Sequence, residues 1–206
     1  MFFAVSWRLR TGPGSAAGAV AEAVFAVLLL MAMQAGALAD DPARSLCRAG
    51  PALADITFTV DVKDKEAIRA GGATSPYIEL GDPKESLANL RDTEALVLPC
   101  REVIVVVDYP LKREFEFPLS ADRPEGFTRA GIAAGIAALY QRIYAEEEAS
   151  TTTPVVPKDQ RQGLINRNGT NGKYGIWGHD LGDLGLSRIS PQLRGGAVYL
   201  HLEIDS

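Results

Sequence analysis

Histidine and cysteine each occur only twice in the 206 residues, and that scarcity closes off several kinds of chemistry. Cys47 and Cys100 are too few for a disulfide framework or a cysteine-rich zinc site. They either form one bridge in an oxidising compartment or stay as separate thiols. His179 and His201 stand 22 residues apart with no short ligand pair, and the nearby acids lack the carboxylate density of a calcium loop. Positive charge is also short: 21 Lys and Arg face 26 Asp and Glu, a formal charge of −5. Without a basic stripe, nucleic acid is disfavoured as a partner. No serine or cysteine stands in a nucleophile-elbow context. No cofactor is implied.

What the chain does contain begins with Arg8 and Arg10, followed by a small-residue and apolar run from Ala16 to Ala39 and then Asp40-Asp41-Pro42. Ala37-Leu38-Ala39 has the small-x-small form of a signal-peptidase site. A basic start, an apolar middle and a cleavage motif in that order read as a signal peptide. The run is slightly short for a spanning helix of about 20 apolar residues. An uncleaved membrane anchor is the alternative, and a mis-assigned N-terminus would leave the protein in the cytoplasm. Secretion or anchoring through residues 16–39 is the expectation, with the membrane touched only by that segment. Removing residues 1–39 leaves 19 basic against 25 acidic residues, so the expectation about partners is unchanged.

Residues 40–54 read as a linker. Ile56 to Val62 alternates with period two, as a half-buried strand does. Pro83 to Arg91 is expected to be a short helix capped by Asp82. Val103–Val107 is apolar on both faces, which suits an interior strand. Asp108–Lys112 is a turn, and Phe115, Phe117 and Leu119 alternate with Glu114 and Glu116, completing a hairpin. Pro118 puts its second strand at a sheet edge. A long helix runs from Arg129 to about Glu148, with Thr128 as N-cap and Phe127 and Ile132 as a hydrophobic staple. Ile132, Ile136, Leu139 and Ile143 form its apolar stripe, and Gly131 and Gly135 leave room for close packing on a sheet. Glu146-Glu147-Glu148 reads as a solvated, fraying end. Ser150–Gln162 reads as a flexible loop. Ala197–Ile204 alternates again, with Val198, Leu200, Leu202 and Ile204 on one side.

The order hairpin, helix, short strand, leucine-rich turn and final strand resembles the ubiquitin-like β-grasp. The residues that carry the likeness are Val103–Leu119, the isoleucine stripe, the turn Leu181, Asp183, Leu184 and Leu186, and the final strand Tyr199–Ile204. It covers roughly the last hundred residues. The resemblance implies an α+β fold in which a mixed sheet packs on one long helix. It also implies a domain used for protein contact. The end Ile204-Asp205-Ser206 departs from the diglycine of conjugated members, so conjugation is not implied. Three parts are therefore expected: 1–39, a signal or anchor; 40–100, a region with a strand and a short helix; and 101–206, a β-grasp-like domain.

The richest stretch for function is 163–186, with seven glycines, three asparagines, one of the two tryptophans and His179. Tyr174–Trp177 is expected to pair into the sheet, and Leu181, Leu184 and Leu186 to plug its end. Trp177 is read as core covering one end of the sheet, with an exposed binding anchor as the alternative. Asn166, Arg167 and Asn168 are candidates for exposed polar contact, joined by Lys173, Tyr174, Trp177, His179 and Asp180 as a recognition surface for another protein. Asn168-Gly169-Thr170 matches a glycosylation sequon, a triplet common by chance. The rival reading is a small hydrolase or metal-dependent enzyme using His179 with Asp180 or Asp183. Adjacent residues point apart on a strand, so His179 and Asp180 do not orient one another readily. A third reading makes the stretch a structural corner.

Overall fold

The computed structural model describes Cys47 and residues 53–162 and 167–206, all within one unit spanning Ala43–Ser206. The apolar run 16–39, nearly all of the expected linker and Asn166 lie outside the described residues.

The architecture is α+β with a mixed sheet. In chain order the elements are β1 (Ile56–Thr57), β2 (Val60–Asp61), α1 (Lys65–Gly71), β3 (Thr74–Ser75), β4 (Ile78–Glu79), α2 (Lys84–Ala88), β5 (Leu96–Leu98), β6 (Glu102–Val107), β7 (Phe115–Ser120), β8 (Phe127–Thr128), α3 (Arg129–Ser150), β9 (Gly185–Arg194) and β10 (Ala197–Asp205). The main sheet runs β1-β9-β10-β6-β7, and β4 also pairs with β9. β10 lies parallel to β6, with Leu200 opposite Val105, while β9 and β7 flank them antiparallel. Elements from both sides of residue 100 thus share one sheet.

The expected hairpin is β6–β7, and Pro118 does sit on the edge strand. The alternation at 56–62 is present, with Ile56, Phe58 and Val60 buried, but two short strands share it because β1 pairs with β9 and β2 with β3. α2 is shorter than expected. Pro83 takes the cap position, and Asp82 Oδ1 accepts from the Lys84 amide at 3.4 Å. α1 escaped the sequence reading, although Asp64 caps it through the Glu66 and Ala67 amides.

β9 was also missed, and its geometry explains why. Leu186 pairs with Ile204 and Arg188 with Glu203, leaving Ser187 as an extra residue. That bulge puts Leu186 and Ile189 on the same face at a spacing of three, which breaks the period-two signal. The leucine-rich turn is thus a short 3₁₀ turn, Leu181–Asp183, followed by a ten-residue strand. Gly195 and Gly196, at φ +60° and +86°, close the two-residue turn into β10.

α3 packs on the sheet as its stripe demands. Ile132, Ile136 and Ile143 are fully buried, and a Cβ at Gly135 would lie 3.1 Å from a Leu119 methyl. The Thr128 side chain accepts from the Gly131 amide at 3.0 Å, and Phe127 and Ile132 are both buried. A second stripe adjoins the first: Ala133, Ala137, Tyr140, Tyr144 and Glu147 recur at spacings of four and three and are all buried. Its last three members are polar, and they build the site described below.

Cys47 and Cys100 form a disulfide across a separation of 53 residues. Closing a loop of that size removes on the order of 4 kcal/mol of unfolded-state entropy in the chain-entropy account. Replacing both cysteines by alanine is expected to lower stability in urea by about 2–4 kcal/mol. Equal midpoints for the wild type and the double variant would contradict this.

Candidate functional site

Glu147 is fully buried near the C-terminal end of α3, not solvated as expected for that acidic triplet. Its Oε1 accepts from the Thr170 hydroxyl at 2.6 Å and the Gly172 amide at 2.8 Å. Its Oε2 accepts from the amides of Tyr174 at 2.7 Å and Gly175 at 3.0 Å. Among the described residues no cation pairs with it. Burial pushes the carboxyl up, but the bonds from Thr170 and from the amides of Tyr174, Gly175 and Gly172 outweigh it and hold the pKa below the ordinary value of 4.5. The carboxylate meets three amides of the turn 170–175 that have no other partner, and it shares the Thr170 hydroxyl with the Ile176 carbonyl. Gly172 is required for this approach, because a Cβ there would lie 2.7 Å from the Glu147 carbonyl oxygen.

Neighbouring groups tighten the same strap. The Lys173 ammonium and the Tyr174 hydroxyl reach Glu146 Oε2 at 2.6 and 2.5 Å. Lys173, then Tyr174, hold the Glu146 carboxyl below its usual range. The Asn171 side-chain oxygen accepts from the Thr152 and Thr153 amides at 3.0 and 3.1 Å. Asn168 accepts from the Val156 amide and donates to the Pro154 carbonyl. The segment 150–162, expected to be a flexible loop, is therefore fastened by two asparagines of the Gly/Asn-rich stretch. The sequon is engaged too: Asn168 is spent on backbone bonds, and Thr170 is buried.

The other two polar members of the α3 stripe hold an aromatic group. The Tyr140 hydroxyl donates to the Tyr109 carbonyl, and the Tyr144 hydroxyl to the His179 carbonyl, each at 2.9 Å. Burial pushes both phenols up, so both stay protonated donors across the physiological range. Trp177 is fixed by its own amide to the Pro110 carbonyl at 3.1 Å and by its indole N–H to the Leu111 carbonyl at 3.3 Å. The rings of Tyr109 and Trp177 meet edge to face with centroids 5.6 Å apart, and His179 lies 5.5 Å from Tyr109 and 6.3 Å from Trp177. Trp177 remains 46% exposed. The expectation that it would be core does not hold: its polar edge is bonded inward and a large part of its ring faces solvent. Tyr174–Trp177 is not a strand either: the amides of Tyr174 and Gly175 are spent on Glu147 and that of Trp177 on the Pro110 carbonyl.

The remaining candidates are dispersed differently. Arg167 is buried, not an exposed contact, with its guanidinium 5.1 Å from the centre of the Tyr144 ring and 3.8 Å from Asp180. Tyr174 is buried under Phe115, and Lys173 is exposed. Asp180 is clamped by Arg161 through two bonds of 2.6 and 3.0 Å, which hold its carboxyl below the ordinary value. Asp183 bonds the Asp180 amide at 3.2 Å and lies 3.3 Å from the Lys158 ammonium. The carboxylates beside His179 therefore face arginine, lysine and backbone, and its ring faces Tyr109 and Trp177. Sequence reasoning missed Tyr109, Tyr140, Tyr144 and Glu147. The last three were detectable as a stripe at helical spacing.

Compared with family models, curated proteins and solved structures, the chain matches none.

A Glu147→Gln variant presents an NH₂ group to amide donors. It is expected to lose about 1–3 kcal/mol at neutral pH. Because the native carboxyl titrates below 4.5, its stabilisation is present above that value and fades as the pH falls through the lower native value. Urea titrations across pH should therefore show the wild type losing its advantage over the variant below about pH 4. A gap that is absent at neutral pH, or constant into acid, would overturn this role.

Proposed function

We propose that the protein is a non-enzymatic interaction module and that its contact surface is the aromatic group Tyr109, Trp177 and His179. One observation carries the reading: a half-exposed tryptophan is held rigidly by two backbone bonds within a three-ring cluster. Tryptophan and tyrosine fixed in place offer large contact area at little entropic cost, and they dominate many protein interfaces. A corner built only for stability has no use for an exposed indole face.

The β-grasp resemblance extends this reading. In support of it, a hairpin β6–β7 precedes the long helix, and the strands run β7-β6-β10-β9 with β10 parallel to β6. Fold likeness by itself does not define a partner. The hydrolase alternative draws little from the geometry, because His179 is engaged with aromatic rings while Asp180 and Asp183 are engaged with cations and backbone.

Export is the proposed destination. The Cys47–Cys100 disulfide supports an oxidising compartment, in keeping with the signal-like residues 1–39.

Affinity capture from the native cell, followed by mass spectrometry, tests the surface. Trp177→Ala should lose the partners that wild type retains, while Leu193→Ala, an exposed change on the β9–β10 hairpin, should keep them. Identical partner sets from all three folded proteins would sink the reading. The same preparation yields the mature N-terminus, which the export reading expects at Asp40.

A further inference from the structure

The aromatic group does not stand alone on the surface. The Tyr109 hydroxyl lies 2.9 Å from Ser206 Oγ. Ser206 in turn forms part of the wall of an open cleft of about 310 Å³. The turn that follows His179 supplies Gly182 and Asp183 to the same cleft. Across it stands Tyr77, 37% exposed, with its ring against Gly185. The cleft thus adjoins the ring cluster through the Tyr109–Ser206 contact and carries one further aromatic, Tyr77, in its lining.

The ionisable groups lining the cleft are of one sign apart from the tyrosine: Glu79, Asp183 and Asp205, all exposed. Among the described residues no lysine or arginine lines it. Lys158 reaches Asp183 from outside the lining, and with 62% of its side chain exposed it holds that carboxylate through a bond a competitor can replace. Resting on the proposed contact surface, we infer that the partner presents an arginine- or lysine-bearing segment that runs from the Trp177–Tyr109 rings into this cleft. The two halves of the surface select the same chemistry independently. Indole and phenol faces attract a cation through their quadrupoles. The carboxylates supply complementary charge and disfavour acidic partners. Concavity adds burial for the aliphatic stems of the basic side chains. An apolar segment would offer Glu79 and Asp205 no partner, and an acidic one would be repelled by the carboxylates.

The test uses the full protein and three short synthetic peptides in which glycine alternates with arginine, glutamine or glutamate. Amide and indole NMR shifts are followed during titration. The arginine peptide is expected to move the Trp177 indole signal together with the amides of Gly182 and Gly185, while the glutamate peptide moves neither. Glu79→Gln combined with Asp205→Asn keeps side-chain shape and should weaken arginine-peptide binding about twofold to fivefold per carboxylate removed. Added salt should weaken the wild type more than the double variant. Asp205→Asn alone serves if the double variant does not fold. Equal binding of the glutamine and arginine peptides would overturn the cationic reading, as would the absence of shifts with any peptide. Either result leaves the capture experiment with Trp177→Ala to decide separately whether the aromatic group is a contact surface.

Discussion

A single buried carboxylate fastens the Gly/Asn-rich stretch of this protein to its long helix. Glu147 brings a negative charge into the interior at the end of a helix, where the helix dipole opposes it. Left unpaired, such a charge costs several kcal/mol. It persists because the turn 170–175 brings four donors to it, three of them backbone amides with no other partner. Each side is therefore the condition for the other. A loop rich in glycine and asparagine, which would otherwise carry a large entropy of disorder, is drawn into one arrangement by the helix beneath it.

The same helix face does more than fix that turn. Tyr140, Tyr144 and Glu147 lie on one stripe, and each spends its polar group on a different stretch of irregular chain: the β6–β7 turn, the residue after Gly178, and the turn 170–175. Two loops distant in sequence, 108–112 and 170–179, are thereby referenced to one rigid element. Rings carried on those loops acquire a fixed mutual geometry, which a recognition surface needs and which loops rarely provide unaided. The exposed face of Trp177 is the visible consequence. Its indole N–H is satisfied inward by Leu111, so the ring stays outward without an unpaired donor.

Much of this framework was legible before any coordinates. The interior strand β6, the edge strand β7 with Pro118, the Thr128 cap, the isoleucine stripe and β10 follow from local periodicity and capping, which neighbouring residues decide among themselves. Three features were hidden for definable reasons. The Ser187 bulge shifts the phase of β9, so Leu186 and Ile189 cease to alternate although they share a face. Glu147 looked solvated because an acidic triplet at a helix end is ordinarily so. Its burial depends on donors more than twenty residues away in sequence. Trp177 reads as core with its N–H on a loop carbonyl; the bond exists, to Leu111, but the carbonyls of the 108–112 turn hold the ring where much of it meets solvent. Within the stretch 163–186, the division into buried Arg167 and Tyr174 and exposed Trp177 and Lys173 depends on long-range contacts that no local pattern encodes.

In this picture the Glu147 carboxylate holds the turn 170–175 as firmly as core structure. Residue-resolved amide hydrogen exchange of the native protein near neutral pH tests it directly. The account predicts that the amides of Gly172, Tyr174 and Gly175 exchange as slowly as those of the central strands β6 and β10. Exchange of those three amides at the rate of exposed loop residues, while the strands stay protected, would contradict it.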